Sequence, residues 1–141
     1  MPAIEWNNVQ RRFVMLCIAV ALACVDLADK ALAHPDYKHV RSPFVVLLTG
    51  VVMIGLVAFV PRIASRAAFV GAAVAVGGAL GNVIASIVWT HGVPDPLVVG
   101  GADGGLAFNL ADVFVFTGDA LLLSAVVIYA LRNRARLHTT M

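Results

Sequence analysis

The chain is poor in charge: Lys, Arg, Asp and Glu together make up 13% of its 141 residues. Water-soluble domains carry roughly a quarter. That shortfall excludes a single core wrapped in a solvated shell. Cysteine is also scarce. The two present, Cys17 and Cys24, lie seven apart in an apolar run. There is no CxxC and no His/Cys cluster at zinc spacing, so a disulfide framework or zinc module is excluded. The pair reads instead as small packed hydrophobes on one helix face. No Lys-Ser/Thr follows the glycines at 100–105, which excludes a phosphate loop. Nothing indicates nucleic-acid binding, and nothing calls for a cofactor.

Apolar residues are abundant, at 61%. They fall into four stretches, at about 13–33, 44–60, 67–88 and 110–131. Each comes close to the roughly 20 residues needed to cross the hydrocarbon core as a helix. Pro61 closes the second, because proline cannot continue a helix interior. Gly71, Gly77, Gly78 and Gly81 populate the third, where they allow close approach between membrane helices. The expected fold is an all-α membrane protein, one integral-membrane domain over residues 1–141 with four transmembrane helices. The short polar link 34–43 and the Pro- and Gly-rich segment 89–109 read as loops.

Arginine positions give the orientation. Arg11, Arg12, Arg62, Arg66, Arg132, Arg134 and Arg136 all fall on the side of the termini and the 61–66 loop. Lys38 and Arg41 are the basic residues of the opposite loops. The positive-inside rule then makes both termini cytoplasmic and turns the other two loops outward. Trp6 and Trp89 fit interfacial anchors, and the basic tail fits contact with lipid headgroups. His34, His39 and His91 face outward with Asp36 but share no tight ligand spacing. They read as surface residues rather than a metal site. The N-terminus also has features of a cleavable signal peptide, with Arg11-Arg12, an apolar run and Ala31-Leu32-Ala33. Ala21-Leu22-Ala23-Cys24 faintly resembles a lipoprotein acceptor. Asp26, Asp29 and Lys30 sit awkwardly close to such a cleavage region, and the segment reads better as a retained first span.

Ionisable groups in a membrane are costly and mark a partner or a function. Asp26 and Lys30 are i,i+4 neighbours of opposite sign at the outer end of the first helix. The simplest account is an interfacial ion pair with Lys30 snorkelling outward. Asn109 lies three before Asp112 and suits a helix N-cap, with Asp112 favoured by the helix dipole. Asp119, seven beyond Asp112, is deeper and lies on the same face. Asp95, between Pro94 and Pro96, is held on stiff extended backbone near the outer surface. Two carboxylates brought close in a low-dielectric site cannot both ionise easily. Such a pair can activate water and protonate a leaving group. Asp95 and Asp112 are the natural pair, since both lie at the outer level.

Several motifs here resemble signal peptidase II, the lipoprotein signal peptidase family. They are Gly77-Gly78-Ala79-Leu80-Gly81-Asn82, Val93-Pro94-Asp95 and Phe108-Asn109-Leu110-Ala111-Asp112. The Asp26-to-Lys30 spacing and Gly118 resemble the same family. The resemblance implies a four-helix bacterial inner-membrane aspartic peptidase with its active site facing outward and no metal. Its substrate would be a diacylglyceryl-modified prolipoprotein, cut before the lipidated cysteine, with membrane lipids as surroundings; it implies nothing about oligomeric state. Asp95 and Asp112 would be catalytic. Asn82 and Asn109 would orient the site, and Asp26 and Lys30 would form a structural pair beside it. The chain departs from the family's pattern at three places. Ala85-Ser86 stands where Asp-Arg is usual, Pro96 where Phe follows the aspartate, and the 34–43 link is short, without the family's β platform. Those departures keep a non-catalytic homologue, binding a lipid or protein partner, as an alternative. A small proton or ion carrier built on Asp112 and Asp119 is a further one.

Overall fold

The computed structural model describes residues 7–33, 35, 37–100 and 105–137. Its framework is four helices, α1 (Asn8–Leu32), α2 (Pro43–Phe59), α3 (Arg66–Val88) and α4 (Leu110–Leu137). Polar caps set where they begin. Asn7 Oδ1 accepts from the Gln10 N–H at 2.8 Å, and Gln10 Oε1 accepts from the Asn7 N–H at 3.0 Å. This reciprocal box satisfies orphan donors and starts α1 five residues ahead of its apolar stretch. Ser42 and Ser65 cap α2 and α3 by accepting from the Val45 and Ala68 N–H groups. Pro61 lies in a single 3₁₀ turn, Val60–Arg62, which ends the α2 segment. α4 continues through Arg132 and Arg134, beyond its last apolar turn.

Among the described residues, three helical segments are long and apolar enough to cross a membrane: Pro43–Arg62, Arg66–Val88 and Leu110–Arg134. α1 is not among them. It carries Arg11 and Arg12 near one end and Asp26, Asp29 and Lys30 near the other. α2 buries none of its residues, and Phe44, Leu47, Ile54 and Phe59 stand exposed along it. Phe116, Leu123 and Leu131 do the same on α4. So much apolar surface facing outward suits a lipid surround rather than water.

α3 is the hub. It packs chiefly against α4 and α1, and its buried residues are Gly or Ala apart from Phe69, Val76 and Asn82. Small residues let helix backbones approach in a membrane, where apolar burial alone gives no driving force. At Gly71 an added Cβ would stand 2.6 Å from the Leu122 nitrogen of α4. At Gly78 it would press on the Ala111 carbonyl and lie 2.8 Å from the Val115 nitrogen. Gly77 and Gly81 face α1 instead, against Leu22 and the Asp26 carboxylate. Met15, Val60, Phe69, Ala72 and Ala73 form an apolar cluster, with the Arg11 guanidinium over the Phe69 ring.

The link and the segment expected to be loops carry short strands. β1 (Lys38–His39) pairs antiparallel with β2 (Val93–Pro94), Lys38 opposite Pro94 and His39 opposite Val93. β3 (Leu97–Val99) and β4 (Leu106–Phe108) form a hairpin, Leu97 opposite Phe108 and Val99 opposite Leu106. Strands of two or three residues are too short for alternation to register in a sequence, so the all-helical expectation missed them. Gly92 turns the chain into β2 at φ 126°, a conformation open to glycine.

Two other expectations change. Cys17 and Cys24 are exposed on α1 rather than packed. Lys30 does not snorkel: it is 2% exposed and turned inward. Trp6, His34, Asp36 and Asp103 lie outside the described residues, as does the Arg136 side chain.

Candidate active site

The Asp95 backbone N–H donates to the Tyr37 carbonyl at 3.1 Å, which ties it to the segment before α2. Its carboxylate is buried, the residue being 3% exposed. Oδ1 accepts from Asn109 Nδ2 at 2.7 Å, and Oδ2 bonds His39 Nδ1. Burying a carboxylate without such partners costs several kcal/mol, so these bonds are what make the position tenable.

Asp112 opens α4. Its N–H donates to Asn109 Oδ1 at 3.2 Å, and its Oδ2 accepts from the Asn109 N–H at 3.3 Å. That is the reciprocal capping pattern, with Asn109 as the cap and a carboxylate at the third helical position. The other oxygen, Oδ1, accepts from Asn82 Nδ2 and from Arg41 Nη2, each at 2.8 Å. Asn109 thus caps the helix through its oxygen and holds Asp95 through its amide nitrogen. It is completely buried, with both ends of its side chain used.

Behind this pair lies the Asp26–Lys30 ion pair at 2.7 Å, with both side chains inaccessible. Lys30 Nζ also donates to Asn82 Oδ1 at 3.1 Å. Asp26 Oδ1 accepts from the Ala111 N–H at 2.8 Å, at the mouth of α4. The network therefore runs unbroken from α1 through Asn82 to Asp112, and through Asn109 to Asp95. Buried charges that are paired and fully bonded rigidify a site in this way. All six residues singled out from sequence, Asp26, Lys30, Asn82, Asp95, Asn109 and Asp112, belong to it.

Asp95 and Asp112 line one cleft of about 540 Å³. Tyr37, Lys38, His39, Arg41 and Ala107 share its walls. His39 was expected to be a surface residue and instead bonds the buried Asp95; Arg41 was counted only for its charge. Apart from Val40 and its two prolines the 34–43 link is polar, so nothing in its composition separates these two side chains from their solvated neighbours. Arg41 Nε is buried with no partner, a donor left over at the cleft wall. Ser86 turns back to the Asn82 carbonyl at 2.8 Å and adds nothing to the cleft, and Ala85 is buried and apolar. Asp119 is also absent from the cleft: it is exposed on the outside of α4.

A second groove, between α1, α2 and α3, is apolar apart from Arg12 and holds no carboxylate. Among the described residues, no cluster of three or more His, Cys, Asp or Glu side chains is arranged to hold a metal ion.

No curated protein matches the chain. The family model for signal peptidase (SPase) II does match it, over residues 31–128, more than half its length. That span takes in the cleft, both candidate acids, α2, α3 and most of α4, and leaves Asp26 and Lys30 just outside. The chain belongs to the signal peptidase II family.

Proposed function

We propose that this chain is an intramembrane aspartic endopeptidase that removes signal peptides from diacylglyceryl-modified prolipoproteins. The observation that carries the proposal is the shared cleft, where Asp95 and Asp112 stand on either side of Asn109, which bonds both. In this reading α1 is the fourth span. The arginines at the termini and the 61–66 loop keep that side in the cytoplasm of a bacterial inner membrane. The cleft then opens at the outer surface, at headgroup depth, where a lipid-anchored substrate arrives by lateral diffusion.

One carboxylate, ionised, takes a proton from a water between the acids, and the oxygen of that water attacks the scissile carbonyl carbon. The other, protonated, gives its proton to the carbonyl oxygen, so that a neutral tetrahedral diol forms. Collapse of the diol breaks the C–N bond. The first acid hands its proton to the leaving nitrogen, and the diol returns a proton to the second. Asn82, Asn109 and the Asp26–Lys30 pair hold the acids in place through these steps and exchange no proton.

The test is direct. Purified protein is incubated with a diacylated prolipoprotein beside the Asp95→Asn and Asp112→Asn variants. Cleavage by the parent and its loss in both variants is the expected result. No cleavage under conditions in which another family member works would refute it. That outcome would favour the second reading, a non-catalytic homologue that binds lipid or a partner, which the apolar Ala85 and the inward-bonded Ser86 support. The carrier reading loses its basis, because Asp119 does not share the cleft with Asp112.

A further inference from the structure

Support for the two acids comes from two sources. Behind the cleft, α3 contributes Asn82 and the cap of α4 contributes Asn109. On the cleft wall itself it arrives from the stretch Tyr37-Lys38-His39-Val40-Arg41. This stretch is anchored at both ends. The β1–β2 pairing and the Tyr37–Asp95 backbone bond hold its start, and the Ser42 cap of α2 holds its finish. Extended backbone sends residues i and i+2 to the same side and i+1 to the other. His39 and Arg41, two apart, both reach the acids of the cleft, and Val40 between them is 74% exposed. One rigid strip therefore delivers a basic side chain to each candidate acid.

The delivery is selective. His39 Nδ1 meets Asp95 Oδ2, which has no other hydrogen-bond partner among the described residues. Arg41 Nη2 meets Asp112 Oδ1, the oxygen that Asn82 also holds. The far oxygens of both acids are taken by Asn109. Each carboxylate is thus pinned at both oxygens, which fixes its plane as well as its position. The His39 side chain is partly open to solvent and that of Asp95 is not.

We infer that His39 and Arg41 are positioning residues for the catalytic pair, His39 setting Asp95 and Arg41 setting Asp112. The inference rests on the proposal that Asp95 and Asp112 are catalytic. Besides His39, the titratable or charged groups on that cleft are Tyr37, Lys38, Arg41, Asp95 and Asp112. His91, on the neighbouring turn, bonds Thr90.

The experiment compares kcat and KM for full-length parent, His39→Ala, His39→Gln, Arg41→Gln and Arg41→Lys on a diacylated prolipoprotein. His39→Ala and Arg41→Gln should lower kcat by about 10–100-fold with KM unchanged, the value of a hydrogen bond to a charged group. A glutamine amide can still donate to Asp95. His39→Gln should therefore recover part of kcat. Arg41→Lys should recover less than full rate, since an ammonium lacks the planar fork.

Parental kcat in His39→Ala and Arg41→Gln, with Asp95→Asn and Asp112→Asn inactive, would overturn the inference and leave the catalytic pair standing. An inactive parent would instead refute the catalytic pair, and a measurement that needs no cleavage then decides. It is a double-mutant unfolding cycle in detergent. His39→Ala should lower the midpoint by roughly 3 °C in the parent and have little effect in an Asp95→Asn background. Arg41→Gln should behave likewise against Asp112→Asn. Additive effects in both cycles would overturn the inference.

Discussion

Removing the charge on Lys30 is the sharpest test of how the helices are joined. Lys30 is buried, and its ammonium is shared between Asp26 on α1 and Asn82 on α3. The Asp26 carboxylate in turn takes the Ala111 N–H of α4. Lys30→Met fits the same space but leaves Asp26 ionised in an apolar surround. Breaking a buried pair from one side costs about 3–5 kcal/mol, because the remaining charge has lost its compensation. Asn82 Oδ1 also loses a donor, a further penalty of roughly 1 kcal/mol. Set against a total stability of about 5–15 kcal/mol, that is a large fraction. The double variant Asp26→Asn/Lys30→Met removes both charges and keeps an acceptor for the Ala111 N–H. Replacing a buried pair outright is often neutral or favourable, so the double variant should recover at least about 2 kcal/mol of the single variant's loss. Reversible unfolding in mixed detergent micelles reads both values. The reasoning is wrong if Lys30→Met lies within about 0.5 kcal/mol of the parent, the ordinary range for a surface change. It is equally wrong if the double variant is no more stable than the single one.

Three further outcomes follow from the same contacts. Gly81→Ala would put a methyl 2.7 Å from Asp26 Oδ2, so it should cost about 1–3 kcal/mol in the unfolding assay and disturb the ion pair. Asn109→Ala removes both the helix cap and the amide on Asp95. It should cost about 1 kcal/mol in stability and, measured separately, lower kcat by about 100-fold or more. Asp119→Leu should leave cleavage unchanged and favour membrane insertion by roughly 2.5–3.5 kcal/mol, read by glycosylation mapping of a reporter segment; lost cleavage would return Asp119 to the site.

What could be read from the sequence, and what could not, divides along a physical line. The helices were legible because runs of about 20 apolar residues have few other uses. Asp95 and Asp112 were legible because acids near a membrane surface, one clamped between prolines and one behind an asparagine, stand out against so little charge. The inward turn of Lys30 was not legible. An i,i+4 pair at a helix end has the same spacing whether it faces headgroups or a neighbouring helix. What decides is the partner, and Asn82 is fifty-two residues away. His39 and Arg41 were hidden for a related reason. Their link is short and polar, and a two-residue strand leaves no periodic trace, yet that strand brings the link against Pro94 and beside Asp95. Three connections of the site are thus made across sequence separations that no local pattern encodes: Lys30 to Asn82, Arg41 to Asp112 and His39 to Asp95. Asn109 to Asp112, by contrast, is local and was foreseeable as a helix cap. A chain can therefore keep its two acids and their asparagines in recognisable motifs while drawing its basic support from a different wall. For that reason, the Ala85-Ser86 departure is weaker evidence against catalysis than the motif alone suggests.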